Sequence, residues 1–358
     1  MKKYISVVVT FACILILAPS IAVFSDLQDR PDNPANVSKA ENITENPFTE
    51  ISQSDSIESS NTEQTTSEND KVQSNSDVFK VLETSSGKVS EIPVRDYVIG
   101  AVCAEMPASF ETEALKAQAV VCHTYAVRRQ MQENSSPDTE LKGADFSDDS
   151  SKYQAYFTND RIKSFYGENY DEYYSKVCSA VDEVLNEILV FDNQPAVTAF
   201  HSMSSGFTES AENVWGYEIP YLVAVSSIED MSASQYEETA DFTASEFFTR
   251  FTQAYPDIRL EGDKSGWIKI NKISDSGTVL SMTVGNKELS GLEFRSVLSL
   301  KSACFSVSCS DEKISITTKG YGHGVGMSQY GANEMAKEGK TYREILSHYY
   351  KGTELSNL

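Results

Sequence analysis

The spacing of apolar positions changes several times along the chain, and each change marks a different kind of element. "PVRDYVIGAVCAEMP" sets Tyr97, Ala101 and Ala104 at helical spacing, and Pro93 suits a first helical turn. Pro107 disfavours helical geometry at Met106, so this helix is predicted to end near Glu105. "ASFETEALKAQAVVCHTYAVRRQ" predicts a longer helix with Ser109 as N-cap. Glu111 and Glu113 suit its positive end, and Arg128 and Arg129 its negative one. Its apolar face of Leu115, Ala119, Cys122 and Ala126 is rich in alanine, which suits close packing against a neighbour. Farther on the period shortens. "ILVFD", "AVTAFHS", "WIKINKI", "VLSMTV", "CFSVSC" and "KISITT" read as strands, with hairpin turns at "SG" before Thr278 and "GN" before Lys287. Two helices close the chain. The last has a capping box from Thr341 to Glu344 and an apolar face of Tyr342, Ile345, Leu346 and Tyr349, and ends at Gly352. The order predicts an α+β fold: a helical N-terminal portion, a strand-rich middle and two C-terminal helices.

The ends of the chain differ in composition. Residues 1–24 begin with Lys2 and Lys3 and continue in a nearly uncharged run from Tyr4 to Phe24, long enough to cross a bilayer. An uncleaved anchor is one reading. A cleaved signal, with small residues near Ala22, is the other, and both carry the remainder out of the cytoplasm. Residues 25–77 hold twelve acidic against three basic residues and read as a disordered tether. The folded part is therefore expected at 78–358. A net charge of −23 argues against nucleic acid as a partner. The six cysteines include Cys13, Cys103, Cys122 and Cys178, and form no CxxC. Cys304 and Cys309 lie an odd number apart in a strand-like run, so they face opposite sides; small buried hydrophobes is the reading for the set.

Three stretches carry candidate chemistry. Glu105 sits where a helix stops, between Ala104 and Met106. A carboxyl in apolar surroundings acts as a general acid near neutral pH, whereas one in solvent is an ordinary helix-end glutamate; both readings stay open on local sequence. In "FHSMSSGFTE" a strand at His201 runs into Ser204, Ser205, Gly206 and Thr208, with Trp215 and Tyr221 beyond. Hydroxyls beside aromatic platforms suit a polyhydroxylated ligand, and no GxSxG elbow is present. "KGYGHGVGMSQYG" alternates Gly320, Gly322, Gly324 and Gly326 around His323 and continues into Ser328 and Gln329. That spacing fits neither GxGxxG nor GxxxxGK[ST], so a phosphate cradle is excluded, and the glycines let the chain lie close against something with His323 on an exposed backbone. His123, His201, His323 and His348 show no metal-ligand spacing; a zinc site of His201, His323 and Glu105 has no motif behind it.

Taken together, "YVIGAVCAEMPASFETEALKAQAVVCHTYA", "FHSMSSGFTESAENVWG…PYL" and "GYGHGVGMSQYGANEMAKEGKTYREILSHYY" resemble the stage II sporulation protein D family over about 78–352. The resemblance implies a membrane-anchored peptidoglycan lytic transglycosylase with two lobes around a glycan groove. Its catalytic glutamate is Glu105 in "AEMP". Substrate contacts are implied for His201, Ser204, Ser205, Gly206, Thr208, His323, Gly324, Ser328 and Gln329, with the alternating glycines as clearance for a bulky polymer. No cofactor is implied. Some clostridial-type members bind zinc after the long helix; here "LKGADFSDDSSKYQAYF" places Ser147, Lys152 and Tyr153 where such ligands belong, so no zinc is expected and other contacts must hold that loop. Implied partners are peptidoglycan strands, the stage II sporulation proteins P (an amidase) and M, and the cell membrane, with the catalytic domain outside the cytoplasm. The competing implication is a non-catalytic enhancer of a wall amidase.

Overall fold

The structure, a computed structural model, describes residues 77–358. The anchor or signal at 1–24, the tether up to residue 76 and Cys13 lie outside the described residues. Among the described residues no helix is long and apolar enough to cross a membrane.

The described chain opens with a hairpin, not with the expected helix. β1 (Val78–Glu83) pairs antiparallel with β2 (Lys88–Pro93), and Gly87 at φ 68° closes the turn. α1 (Val94–Glu105) follows directly. It stops where predicted, because Pro107 holds Met106 in extended geometry. α2 (Thr112–Ser135) departs from expectation at both ends. Its N-cap is Glu111, without a side-chain cap bond, and the Glu111 N–H donates to Asn333 Oδ1 at 2.8 Å. Ser109 is left outside the helix. The helix also runs well past Arg128 and Arg129, so neither caps its end. Arg128 donates to the Pro195 carbonyl (2.7 Å), and the Arg129 guanidinium lies 5.2 Å from the Tyr153 ring centre.

α2 is the axis of the larger hydrophobic core. Ala114, Ala117, Ala119 and Ala126 are buried, and their small side chains let neighbours approach on several sides. β3 (Phe146–Ser147) adds parallel to β1, and α3 (Asn159–Tyr166) and α4 (Tyr170–Val184) pack beside α1. β4 (Glu187–Phe191) and β5 (Gln194–Pro195) form a short hairpin. Of the expected strand "AVTAFHS", only β6 (Phe200–His201) is strand, followed by the short α5 (Ala211–Trp215).

A second core is inserted between residues 237 and 319. It contains β7 (Glu237–Phe242), α6 (Ala244–Ala254), β8 (Ile268–Ile273), β9 (Val279–Val284), β10 (Lys287–Leu289), α7 (Gly291–Leu298), β11 (Phe305–Cys309) and β12 (Ile314–Lys319). The sheets run β8–β9–β10 and β11–β12–β7, each antiparallel, and both hairpins come at the predicted "SG" and "GN" turns. Phe247, Phe251 and Phe294, all unexposed, fill the space between them. The chain then returns to the first core through β13 (Met327–Ser328), α8 (Gln329–Lys337), α9 (Tyr342–Tyr349) and β14 (Glu354–Asn357). β13 pairs parallel with β6, and β14 pairs with β4. The predicted Thr341–Glu344 capping box is present. The molecule is α+β. All five described cysteines are free. Cys103 and Cys122 are buried as expected, while Cys178 and Cys304 are half-buried and Cys309 is exposed.

Candidate active site

Glu105 is the last residue of α1, and its side chain is only 7 % exposed. The segment 154–157 lies against the helix. The Phe157 N–H donates to the Gly100 carbonyl (3.1 Å), and the Ala155 N–H donates to Glu105 Oε1 (3.0 Å). Gly100 permits this approach, since a Cβ there collides with the Phe157 carbonyl and the Tyr156 ring. The groups facing the carboxyl are Tyr97 from α1 and Cys122 and Tyr125 from α2, all neutral. Burial without a compensating cation pushes the Glu105 carboxyl up from 4.5 to about 7, against the smaller opposing effect of the Ala155 N–H. It is a carboxyl poised to hold or release a proton near neutral pH.

The alternating glycines lead into β13 and α8. Gly320, Gly322, Gly324 and Gly326 all have positive φ (73°, 116°, 84° and 74°), which glycine adopts without a Cβ penalty. What they clear is the chain's own second motif. A Cβ at Gly320 meets the Ser204 backbone at 2.7 Å, one at Gly322 meets His201 Cβ at 2.7 Å, and one at Gly326 collides with the Ala199 carbonyl. Isolated bridges Met203↔Tyr321 and Glu209↔Val325 continue the seam begun by β6 and β13. The reading of these glycines as room for a polymer is thus replaced by room for residues 199–209.

Both histidines of the seam are bound to backbone. His201 Nδ1 donates to the Val325 carbonyl (3.1 Å), and His323 Nδ1 accepts from the Val325 N–H (3.0 Å). Burial lowers His201 to about 4, so it is neutral at physiological pH. The two rings are 5.8 Å apart, and Trp215 stands 6.0 Å from His323.

Asp230, which the sequence reading passed over, ties the parts together. Its carboxylate accepts from the Ser204 N–H (2.7 Å), Ser227 Oγ (3.0 Å) and Ser328 Oγ (2.8 Å). Ser328 also caps α8 through the Gly331 N–H (3.1 Å). The next residue, Gln329, donates from Nε2 to the Glu105 carbonyl at 2.7 Å. The three motifs therefore meet: α1 through Gln329, the hydroxyl turn through Asp230, and the glycine run along residues 199–209.

Among the expected contact residues, His201, Ser204, Gly206, Thr208, Ser328 and Gln329 are buried, and Thr208 Oγ1 accepts from the Val225 N–H (2.9 Å). Ser205, His323 and Gly324 are half-exposed, beside Phe207 at 50 % exposure. Glu209, also passed over, is a buried carboxylate that accepts from Asn213 Nδ2, the Ser210 N–H and Ser274 Oγ. The stretch where zinc ligands were not expected is held by hydrogen bonds. Asp145 accepts from the Lys80 N–H and Gln130, Asp148 from Thr84, and Asp149 from Ser151. Among the described residues no group of three His, Cys, Asp or Glu side chains converges on a metal position.

Comparison with known proteins gives this arrangement its relatives. The family described as "Stage II sporulation protein" matches residues 83–191. The chain is 41 % identical over 276 residues to "Stage II sporulation protein D" of Bacillus subtilis (strain 168), covering 77 % of this chain and 78 % of the relative. It is 39 % identical over 277 residues to the protein of that name from Bacillus amyloliquefaciens, with the same coverage. A more distant likeness, 28 % identical over 307 residues, is to "Amidase enhancer" of Bacillus subtilis (strain 168), covering 72 % of this chain and 40 % of that protein. The motif that ends α1, the serine turn and the glycine run are joined in one framework, and over three quarters of its length this chain belongs to the stage II sporulation protein D family.

Proposed function

We propose that this chain is a peptidoglycan lytic transglycosylase with Glu105 as its single acid and base. The observation that carries the reading is the buried, cation-free Glu105 carboxyl, raised to about 7 at the end of α1. In the neutral form it donates a proton to the glycosidic oxygen between N-acetylmuramic acid and N-acetylglucosamine as the muramoyl C1 takes on oxocarbenium character. The resulting carboxylate then removes the proton of the muramoyl C6 hydroxyl, whose oxygen bonds to C1 and closes the 1,6-anhydro ring. Because the nucleophile belongs to the same sugar, one recycling carboxyl replaces the two of ordinary glycosidases. Contacts to glycan fall to the half-exposed rim of Ser205, Phe207, His323 and Gly324, while the buried seam residues hold that rim in place.

The substrate is a strand freed of stem peptides by a partner amidase, the stage II sporulation protein P, with protein M as a further partner. The location is the outer face of the cell membrane, in septal wall thinning during engulfment. A second reading, a non-catalytic activator of a wall amidase, is favoured by the relative named "Amidase enhancer". Digestion of denuded glycan strands separates the two. Mass spectrometry is expected to find anhydromuramoyl ends, and Glu105→Gln to lower the rate at least roughly a hundredfold while folding normally. Reducing ends alone, or near-native turnover in the variant, would remove Glu105 from the chemistry.

A further inference from the structure

Glu105 must carry a negative charge for part of each cycle in a pocket that contains no cation. An ionised carboxylate in such a place needs hydrogen-bond donors. The fixed donor to the carboxyl is the Ala155 N–H. The residue before it, Gln154, is 8 % exposed and carries a carboxamide whose fully buried Nε2 meets no oxygen or nitrogen acceptor and has only the weak Cys122 thiol to interact with. Its Oε1 accepts from the Tyr97 hydroxyl (3.4 Å), its backbone N–H reaches the Tyr125 hydroxyl (3.3 Å), and the Cys122 thiol lies beside it. Tyr97, Cys122 and Tyr125 are the same three groups that face Glu105. A buried amide donor left with only a weak thiol acceptor is costly and uncommon in a folded protein. Here it stands one residue from the N–H that already holds the carboxyl.

We propose that Gln154 is a positioning residue for Glu105, its spare amide donor turning to the carboxylate when the proton leaves. This rests on reading Glu105 as the recycling acid and base. In the neutral state the Ala155 N–H suffices. Once the proton has gone to the leaving oxygen, a second N–H stabilises the charged oxygen that has none, and it is released when the C6 hydroxyl proton returns. Tyr97, which holds Oε1 of the amide, fixes which end of the carboxamide points away and so leaves Nε2 as the free end.

The test is a carbon-detected titration of the Glu105 carboxyl in the full chain carrying labelled glutamate, with Glu105→Gln identifying the signal. Gln154→Met keeps the volume and removes the donor. It is expected to move the Glu105 midpoint upward by about one pH unit, the size of one hydrogen bond to a charged group, with the corresponding limb of the pH–rate profile moving equally. Should that variant fail to fold, Gln154→Ala carries the same expectation. An unmoved or lowered midpoint in either folded variant would overturn the proposal. A native chain that makes no anhydromuramoyl product yet shows the midpoint shift would remove the reaction and leave the Gln154–Glu105 pairing standing.

Discussion

Glu105 and Asp230 are buried carboxyls in contrasting settings. Asp230 accepts three hydrogen bonds and still rises only to about 6, because those donors oppose desolvation. Glu105 has one such donor and rises to about 7. Both folded values lie above the unfolded ones, so the stability each contributes is complete at low pH and is lost as pH rises through the folded value. For Glu105 the rise from 4.5 to about 7 corresponds to on the order of 3 kcal/mol between mild acid and pH 8. Glutamine has no proton to lose. Glu105→Gln is therefore expected to melt like the native chain near pH 4, below the unfolded value, and at a higher temperature near pH 8, read by thermal denaturation across that range. Asp230→Ala strands the buried Ser204 N–H, while Ser227 Oγ and Ser328 Oγ keep the Tyr349 hydroxyl and the Ser202 carbonyl; it is expected to cost about 1–3 kcal/mol, measured by denaturant unfolding. The two sites were not equally legible. Pro107 marked the end of the helix at Glu105, but local sequence left that carboxyl open between a buried acid and a solvent glutamate, and only the resemblance carried by "AEMP" singled it out. Asp230 draws two of its three partners from 26 and 98 residues off, and no local pattern marks it.

Elements bounded by local chemistry followed the sequence closely. The end of α1, the "GN" and "SG" hairpins and the Thr341–Glu344 box each depend on residues within a few positions of one another. Elements set by distant partners did not. α2 takes its start from Asn333 rather than from Ser109. The run 196–202 is apolar because it is buried, and only Phe200 and His201 find a strand to pair with. The glycine run was recognisable as a run, but what it cleared depended on residues more than a hundred positions earlier. A paired substitution tests the clearance. Gly326→Ala, at φ 74° and against the Ala199 carbonyl, is expected to destabilise by several kcal/mol or prevent folding. Gly339→Ala, at φ 86° but with open space around it, is expected to cost only about 1 kcal/mol of backbone strain. Chemical denaturation of the two variants gives the comparison.

At the scale of the molecule, two hydrophobic cores share a seam. Phe251 fills the second core at 0 % exposure, and Phe251→Ala is expected to cost about 3–5 kcal/mol. Hydrogen exchange in that variant should show amides of 237–319 opening before those of α1 and α2. The alternating runs revealed the strands of the inserted region, but not that the chain leaves the first core and later re-enters it. That re-entry bears on how the protein comes into being. Gln329, which secures the end of α1, and Ile345, Leu346, Tyr349 and Tyr350, which are buried in the first core, are all among the final thirty residues. A ribosome pausing anywhere before them holds a nascent chain that carries Glu105 but lacks the parts that shape its surroundings. The surroundings of Glu105 are therefore expected to close only after residues 329–350 have emerged, so a chain cut before Gln329 should keep Glu105 but lose the contact that secures the end of α1.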